Sequence, residues 1–124
     1  MTGDQERFVV GIDYDGTLAE GDSYPEVGRL DPEAVALVLR LQDAGAAVVL
    51  HTCREGENLR QVLEACREAG IEFSAVNAQV RGNEAFGRKP LCDLYLDDKA
   101  WPQKAMGRID WQQVERWLSA EGVL

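Results

Sequence analysis

Short apolar runs alternate with amphipathic stretches along this chain, and several of the runs stop abruptly at charged residues. Phe8-Val-Val-Gly-Ile12 ends at Asp13 in this way, as a buried parallel strand would. Asp31-Pro32-Glu33 predicts a helix start: an N-cap acceptor, a proline at the first helical position and an acid against the helix dipole. Val35, Leu37, Val38 and Leu41 supply that helix with an apolar face, and Gly45 offers its stop. Residues 46–50, AAVVL, predict a second buried strand. Asn58 with Gln61 resembles a capping pair, opening a helix through Leu59, Val62, Leu63 and Cys66 to Gly70. Residues 71–76 alternate like a third strand, and Leu94-Tyr95-Leu96 predicts a fourth that ends in Asp97-Asp98. Asp110 then caps a last helix carrying Trp111, Val114, Trp117 and Leu118.

This alternation predicts an α/β protein, a three-layer Rossmann-like fold around a mainly parallel sheet, forming one domain over residues 1–124. Right-handed crossovers bring the carboxyl ends of parallel strands to one edge, where open α/β sheets bind their ligands. What each strand ends in is therefore informative.

Composition narrows the picture. A hydrophobic content of 45% suits a globular protein, and no stretch approaches the roughly 18 apolar residues of a membrane span. The opening MTGDQER has neither a basic leader nor an apolar segment, so nothing in it suggests secretion. Three widely spaced cysteines, Cys53, Cys66 and Cys92, with the single His51, argue against a disulfide framework or a zinc site. They read as small residues in a reducing cytoplasm. The net charge of −9 argues against broad nucleic-acid binding. It leaves room for a small phosphorylated substrate, because a bound cation reverses the local potential.

Three strand ends carry groups suited to phosphate chemistry. The first reads Asp13-Tyr14-Asp15-Gly16-Thr17, and the second His51-Thr52-Cys53-Arg54. The fourth is preceded by Arg88-Lys89-Pro90 and ends in Asp97-Asp98. A carboxylate attacking a phosphate dianion meets like-charge repulsion, so a cation must bind both. Mg²⁺ suits this, being held by one or two carboxylates and otherwise by water and substrate oxygens. Asp13 and Asp97 can supply the carboxylates, and the Asp15 backbone carbonyl a further ligand. Asp13 as nucleophile would form an aspartyl-phosphate, with Asp15 as acid and then base. Lys89 and the Thr52 hydroxyl are suited to balancing charge on the transferring phosphoryl group, while Gly16 permits a turn whose N–H groups face it. Arg54, placed directly after Thr52 and Cys53, can touch substrate or pair with Glu57 or another acid. Taken singly these residues are ordinary strand-end, turn and surface residues. Their conjunction, in order along the chain, is the signal.

The same residues resemble the motifs of the haloacid dehalogenase-like (HAD) superfamily of phosphotransferases over nearly the whole chain. Asp13-Tyr14-Asp15-Gly16-Thr17 is similar to its specific first motif, hhhhDxDGT. Thr52 resembles the second motif, Lys89 the third, and Asp97-Asp98 the acidic pair of the fourth. The resemblance implies a Rossmann-like sheet, Mg²⁺, and an aspartyl-phosphate intermediate. It makes Asp13 nucleophile and metal ligand, Asp15 acid/base and carbonyl ligand, and Asp97 metal ligand, with Asp98 beside it or acting through water. Gly16, Thr17, Thr52, Cys53, Arg54 and Lys89 then line the phosphate site, with Arg88 the alternative cation. Tyr14 departs mildly from the commoner phenylalanine or leucine.

Only residues 18–30 separate the first motif from the helix start, and residues 53–88 are taken up by helix, strand and loop. The chain resembles a minimal member of the superfamily without a cap domain, so its site stays open unless substrate or a second copy covers it. Residues 18–29, with Tyr24, and the loop at Trp101-Pro102 are candidates for a substrate rim or an oligomer contact. The expected partner is a small phosphorylated metabolite, or an exposed phosphate on a larger molecule. Two other classes compete with a phosphohydrolase: a receiver-like signalling module and a non-catalytic phosphate-binding module on a similar fold. A receiver carries its acceptor aspartate at the end of the third strand, and residues 71–77 contain none.

Overall fold

The computed structural model describes residues 7–21, 23–78, 92–97 and 109–124. Strand β1 (Val9–Ile12) is followed by helix α1 (Pro32–Asp43), strand β2 (Ala47–Leu50), helix α2 (Gly56–Glu68), strand β3 (Ala75–Val76), strand β4 (Leu94–Leu96) and helix α3 (Trp111–Ala120). Among the described residues these four strands pair in parallel, in the order β3-β2-β1-β4. The expected parallel α/β sheet is present. Lys89, Arg88, Asp98 and the Trp101-Pro102 loop lie outside the described residues.

Alternation along the strands divides the core. Val10, Ile12, Val48, Leu50 and Leu96 face one side, and the apolar faces of α1, α2 and α3 close over them. Val9, Ala47 and Val49 point the other way and are buried as well. A strand buried on both faces has no polar positions to spare, which is why the runs at 8–12 and 46–50 read as continuously apolar. Each such side chain contributes roughly 1.5–3 kcal/mol by leaving water, enough to dominate local propensity. Gly11 has a packing reason: a Cβ there would stand 2.8 Å from the Cys92 sulfur and 3.1 Å from the Tyr95 ring.

The helix ends follow the expected chemistry at two of three starts. The Asp31 carboxylate accepts from the Glu33 amide at 2.9 Å, with Pro32 opening α1, and Asp110 accepts from the Gln113 amide at 3.2 Å. The start of α2 differs. It begins at Gly56 after Glu55, with no side-chain cap, rather than at Asn58. The Asn58 amide is drawn elsewhere, donating to the Tyr24 hydroxyl at 3.2 Å.

The third strand is also shorter than its alternation predicts. The Ile71 amide donates to the Cys66 carbonyl at 3.0 Å, so the chain is still closing α2 there and joins the sheet only at Ala75. Ile71 is buried as a helix-exit anchor rather than as a strand residue.

Topology fixes where a ligand can sit. From β1 the chain moves through β2 to β3 on one side, and β4 pairs on the other side of β1. The order therefore reverses between β1 and β4. In open α/β sheets the binding crevice opens outside the carboxyl ends of the strands at such a reversal. Among the described residues, no helix is long and apolar enough to cross a membrane.

Candidate active site

The switch point is flanked by Asp13 and Asp97. The β1–β4 register pairs Ile12 with Leu96, and the Asp13 amide continues the ladder by donating to the Leu96 carbonyl at 3.0 Å. Asp13 is still extended, at φ −83° and ψ 162°, so its side chain follows the strand alternation. Adjacent strands lie about 4.8 Å apart, which brings two carboxylate-bearing residues side by side at one sheet edge.

On the other flank of β1, the His51 amide donates to the Ile12 carbonyl at 2.9 Å, carrying β2 to the same level. Thr52 follows. Its amide is held by the Asn77 side-chain oxygen at 2.8 Å, and its hydroxyl accepts from the Arg54 amide at 3.1 Å. Asn77 has a positive φ of 51°, which asparagine tolerates better than most residues. The structure thus brings Asp13, Thr52 and Asp97 to one edge, with Asp13 in the middle.

Asp15 pairs with Arg54. Its two carboxylate oxygens accept from Arg54, Oδ2 from Nε at 2.9 Å and Oδ1 from Nη2 at 2.7 Å. The Arg54 side chain is almost wholly buried, at 1% exposure against 25% for Asp15. It also donates to the carbonyls of Pro25 at 3.2 Å and Glu26 at 2.7 Å. The guanidinium lies over the rings of both Tyr14 and Tyr24, 5.1 Å from each centroid. The Asp15 carboxylate raises the Arg54 pKa above its ordinary value, against the opposing effect of burial. Of the acids open to it, Arg54 thus pairs with Asp15 and not with Glu57, whose carboxylate is held by Arg60.

The turn after Asp13 depends on Gly16, at φ 77° and ψ 0°, a conformation costly for a residue with a Cβ. Its own N–H donates to the Gly21 carbonyl at 3.0 Å, inside the loop. Thr17 is buried, and its hydroxyl has no hydrogen-bond partner among the described residues. Cys53 is exposed.

Residues 18–21 and 23–30 fold back as a flap: Ala19 bridges Leu30, the Glu20 amide donates to the Arg29 carbonyl at 2.7 Å, and the Asp31 amide to the Leu18 carbonyl at 2.7 Å. Tyr14, read from the sequence only as a mild departure, secures this flap through its hydroxyl, which donates to the Val27 carbonyl at 2.6 Å. Tyr24 is 57% exposed.

A hard cation is compatible with this donor set. Among the described residues no group of three or more His, Cys, Asp or Glu side chains gathers to hold a metal. Asp15, expected to ligate through its backbone carbonyl, pairs its carboxylate with Arg54, which leaves that carbonyl for the part. Magnesium requires no more than one or two carboxylates, so Asp13 and Asp97 across the switch point meet its needs.

Comparison with known proteins adds one finding. No protein-family model matches the chain, and no curated protein matches it. A solved structure, that of a conserved protein coded by a locus of Bacteroides thetaiotaomicron, is 32% identical with a TM-score of 0.75, over 93% of this chain and 92% of that one. The chain belongs to that protein's family. That structure and this chain share one fold over nearly the full length of each.

Two buried weak acids of the core, Tyr14 and Cys66, have a consequence for alkaline stability. Burial pushes the Tyr14 phenol up from 10.0 to about 12, the nearby Cys66 adding to this and Arg54 opposing it. Burial likewise pushes the Cys66 thiol up from 9.0 to about 11. Both are raised acids, so the unfolded chain loses these protons first. Their contribution is complete below about pH 9 and is lost as pH rises through about 12. Urea unfolding at about pH 8 and about pH 11 should show a clearly lower midpoint at the higher pH. In a Cys66→Ala variant the decline should begin about one pH unit later; equal midpoints at both pH values would contradict the assignment.

Proposed function

We propose that this chain is a Mg²⁺-dependent phosphohydrolase acting through an aspartyl-phosphate on Asp13, a small capless member of the HAD-like superfamily. One observation carries the reading: the parallel register puts Asp13 and Asp97 at adjacent strand ends across the switch point, with Thr52 on the neighbouring strand. Free cysteines, one of them exposed, fit a reducing cytoplasmic setting. A phosphorylated small molecule is the proposed substrate class.

In this reading Asp13 attacks phosphorus in line and expels the leaving oxygen, and water then attacks the acyl phosphate to release inorganic phosphate and regenerate the carboxylate. Magnesium, when bound, neutralises the phosphoryl oxygens and lowers the repulsion that Asp13 meets. Asp15 delivers a proton to the leaving oxygen in the first step and takes one from water in the second. The Thr52 hydroxyl, whose oxygen accepts from the Arg54 amide, retains its own proton for a phosphoryl oxygen. Lys89 is assigned the balancing positive charge.

A receiver domain is disfavoured by the strand order. Receivers place β3 beside β1, in the order 2-1-3-4-5, whereas here β3 pairs with β2.

The test is phosphate release from a generic aryl phosphate with Mg²⁺, then with excess chelator, then with Mg²⁺ restored. Continuous release that stops and resumes supports the reading. A single stable phosphoryl group with no turnover, or release indifferent to chelator, refutes it.

A further inference from the structure

Arg54 makes more of its guanidinium than a surface ion pair needs. Its Nε and Nη2 satisfy both oxygens of Asp15, while Nη1 and Nη2 reach the consecutive carbonyls of Pro25 and Glu26 in the flap. Tyr14 and Tyr24 stack on it, and the Tyr14 hydroxyl takes the next carbonyl in the chain, that of Val27. Three successive flap carbonyls are thus held by residues of the site itself. Only arginine offers a planar fork with donors enough for a carboxylate and two carbonyls at once.

We infer that Arg54 is a positioning residue that couples the orientation of the acid/base carboxylate of Asp15 to the seating of the flap. The inference rests on the phosphohydrolase reading for its catalytic half alone. A buried ion pair is weak evidence for a purely stabilising role, since apolar side chains of similar volume often do as well. Here the acid that is held is the one whose direction matters for proton transfer, and the same cation grips the loop that borders the site. A leaving group that displaces Tyr24 or the 25–26 carbonyls displaces Arg54, and with it Asp15. Proton delivery is then set by how the leaving group seats the flap. Selection is exerted on the leaving group rather than on the phosphate.

Two readouts test this on Arg54→Gln and Arg54→Lys. The first is hydrogen exchange at the flap-base amides of Glu20 and Asp31, which bond to Arg29 and Leu18. Exchange there should quicken by roughly tenfold in Arg54→Gln while the amides of Val48–Leu50 are unchanged. The second compares an alkyl phosphate, which needs a proton on its leaving oxygen, with nitrophenyl phosphate, which does not. The loss of kcat in Arg54→Gln should be roughly tenfold greater for the alkyl ester, with Arg54→Lys between it and wild type. A merely structural role would lower both esters equally, and that result, or unchanged flap exchange, overturns the inference. Should Arg54→Gln fail to fold, Arg54→Lys carries both arms, because it keeps the charge but not the fork. Wild type inert toward both esters refutes the phosphohydrolase reading, and the exchange arm then decides the mechanical coupling by itself.

Discussion

Asp13→Asn should abolish phosphate release, lowering kcat by at least on the order of 10³-fold with Mg²⁺ saturating. The amide matches the carboxylate in size, and the Asp13 backbone bond to Leu96 does not involve the side chain. The fold is therefore expected to survive. What is lost is the nucleophile and one charged metal ligand together. Rapid acid quenching of wild type with labelled substrate should trap a hydroxylamine-sensitive phosphoryl group, absent from the variant. Wild-type rates in Asp13→Asn would place the nucleophile elsewhere.

The second large effect concerns stability. Arg54→Met should destabilise the fold by about 3 kcal/mol, because it leaves the Asp15 carboxylate and two flap carbonyls without their donor. The figure sits at the low end for a broken buried pair, since Asp15 keeps 25% exposure and water can recover part of the loss. Methionine retains the apolar stem between Tyr14 and Tyr24, so packing changes little. Urea unfolding measures the cost, and the double variant with Asp15→Asn should recover part of it, since the stranded charge is then gone. An Arg54→Met chain as stable as wild type would mean that solvent already serves Asp15.

Much of this was legible in the sequence because it depends on local rules. Asp31 and Asp110 cap their helices through their own side chains, a contact made within three residues. The apolar runs at Val9–Ile12 and Ala47–Leu50 mark strands because both sheet faces are buried, and the acid that stops the first run marks the sheet edge. Where a long-range partner competes, local reading fails. Asn58 has capping chemistry yet bonds to Tyr24, and residues 71–73 alternate like a strand but close α2 through Ile71. The Asp13-x-Asp15 spacing suggested two acids sharing one site. It did not show that Asp15 pairs with an arginine 39 residues further on.

The sequence alone determined the element order, the strand ends and the identity of the acids there, since each follows from periodicity, capping and breaks in hydrophobic runs. Only the tertiary structure decided that β4 lies beside β1, so that Asp13 and Asp97 adjoin, and that Arg54 is buried against Asp15 and the flap. Those outcomes rest on contacts between residues far apart in the chain. A guanidinium enters the interior only where enough acceptors converge on it, and no local pattern records that convergence.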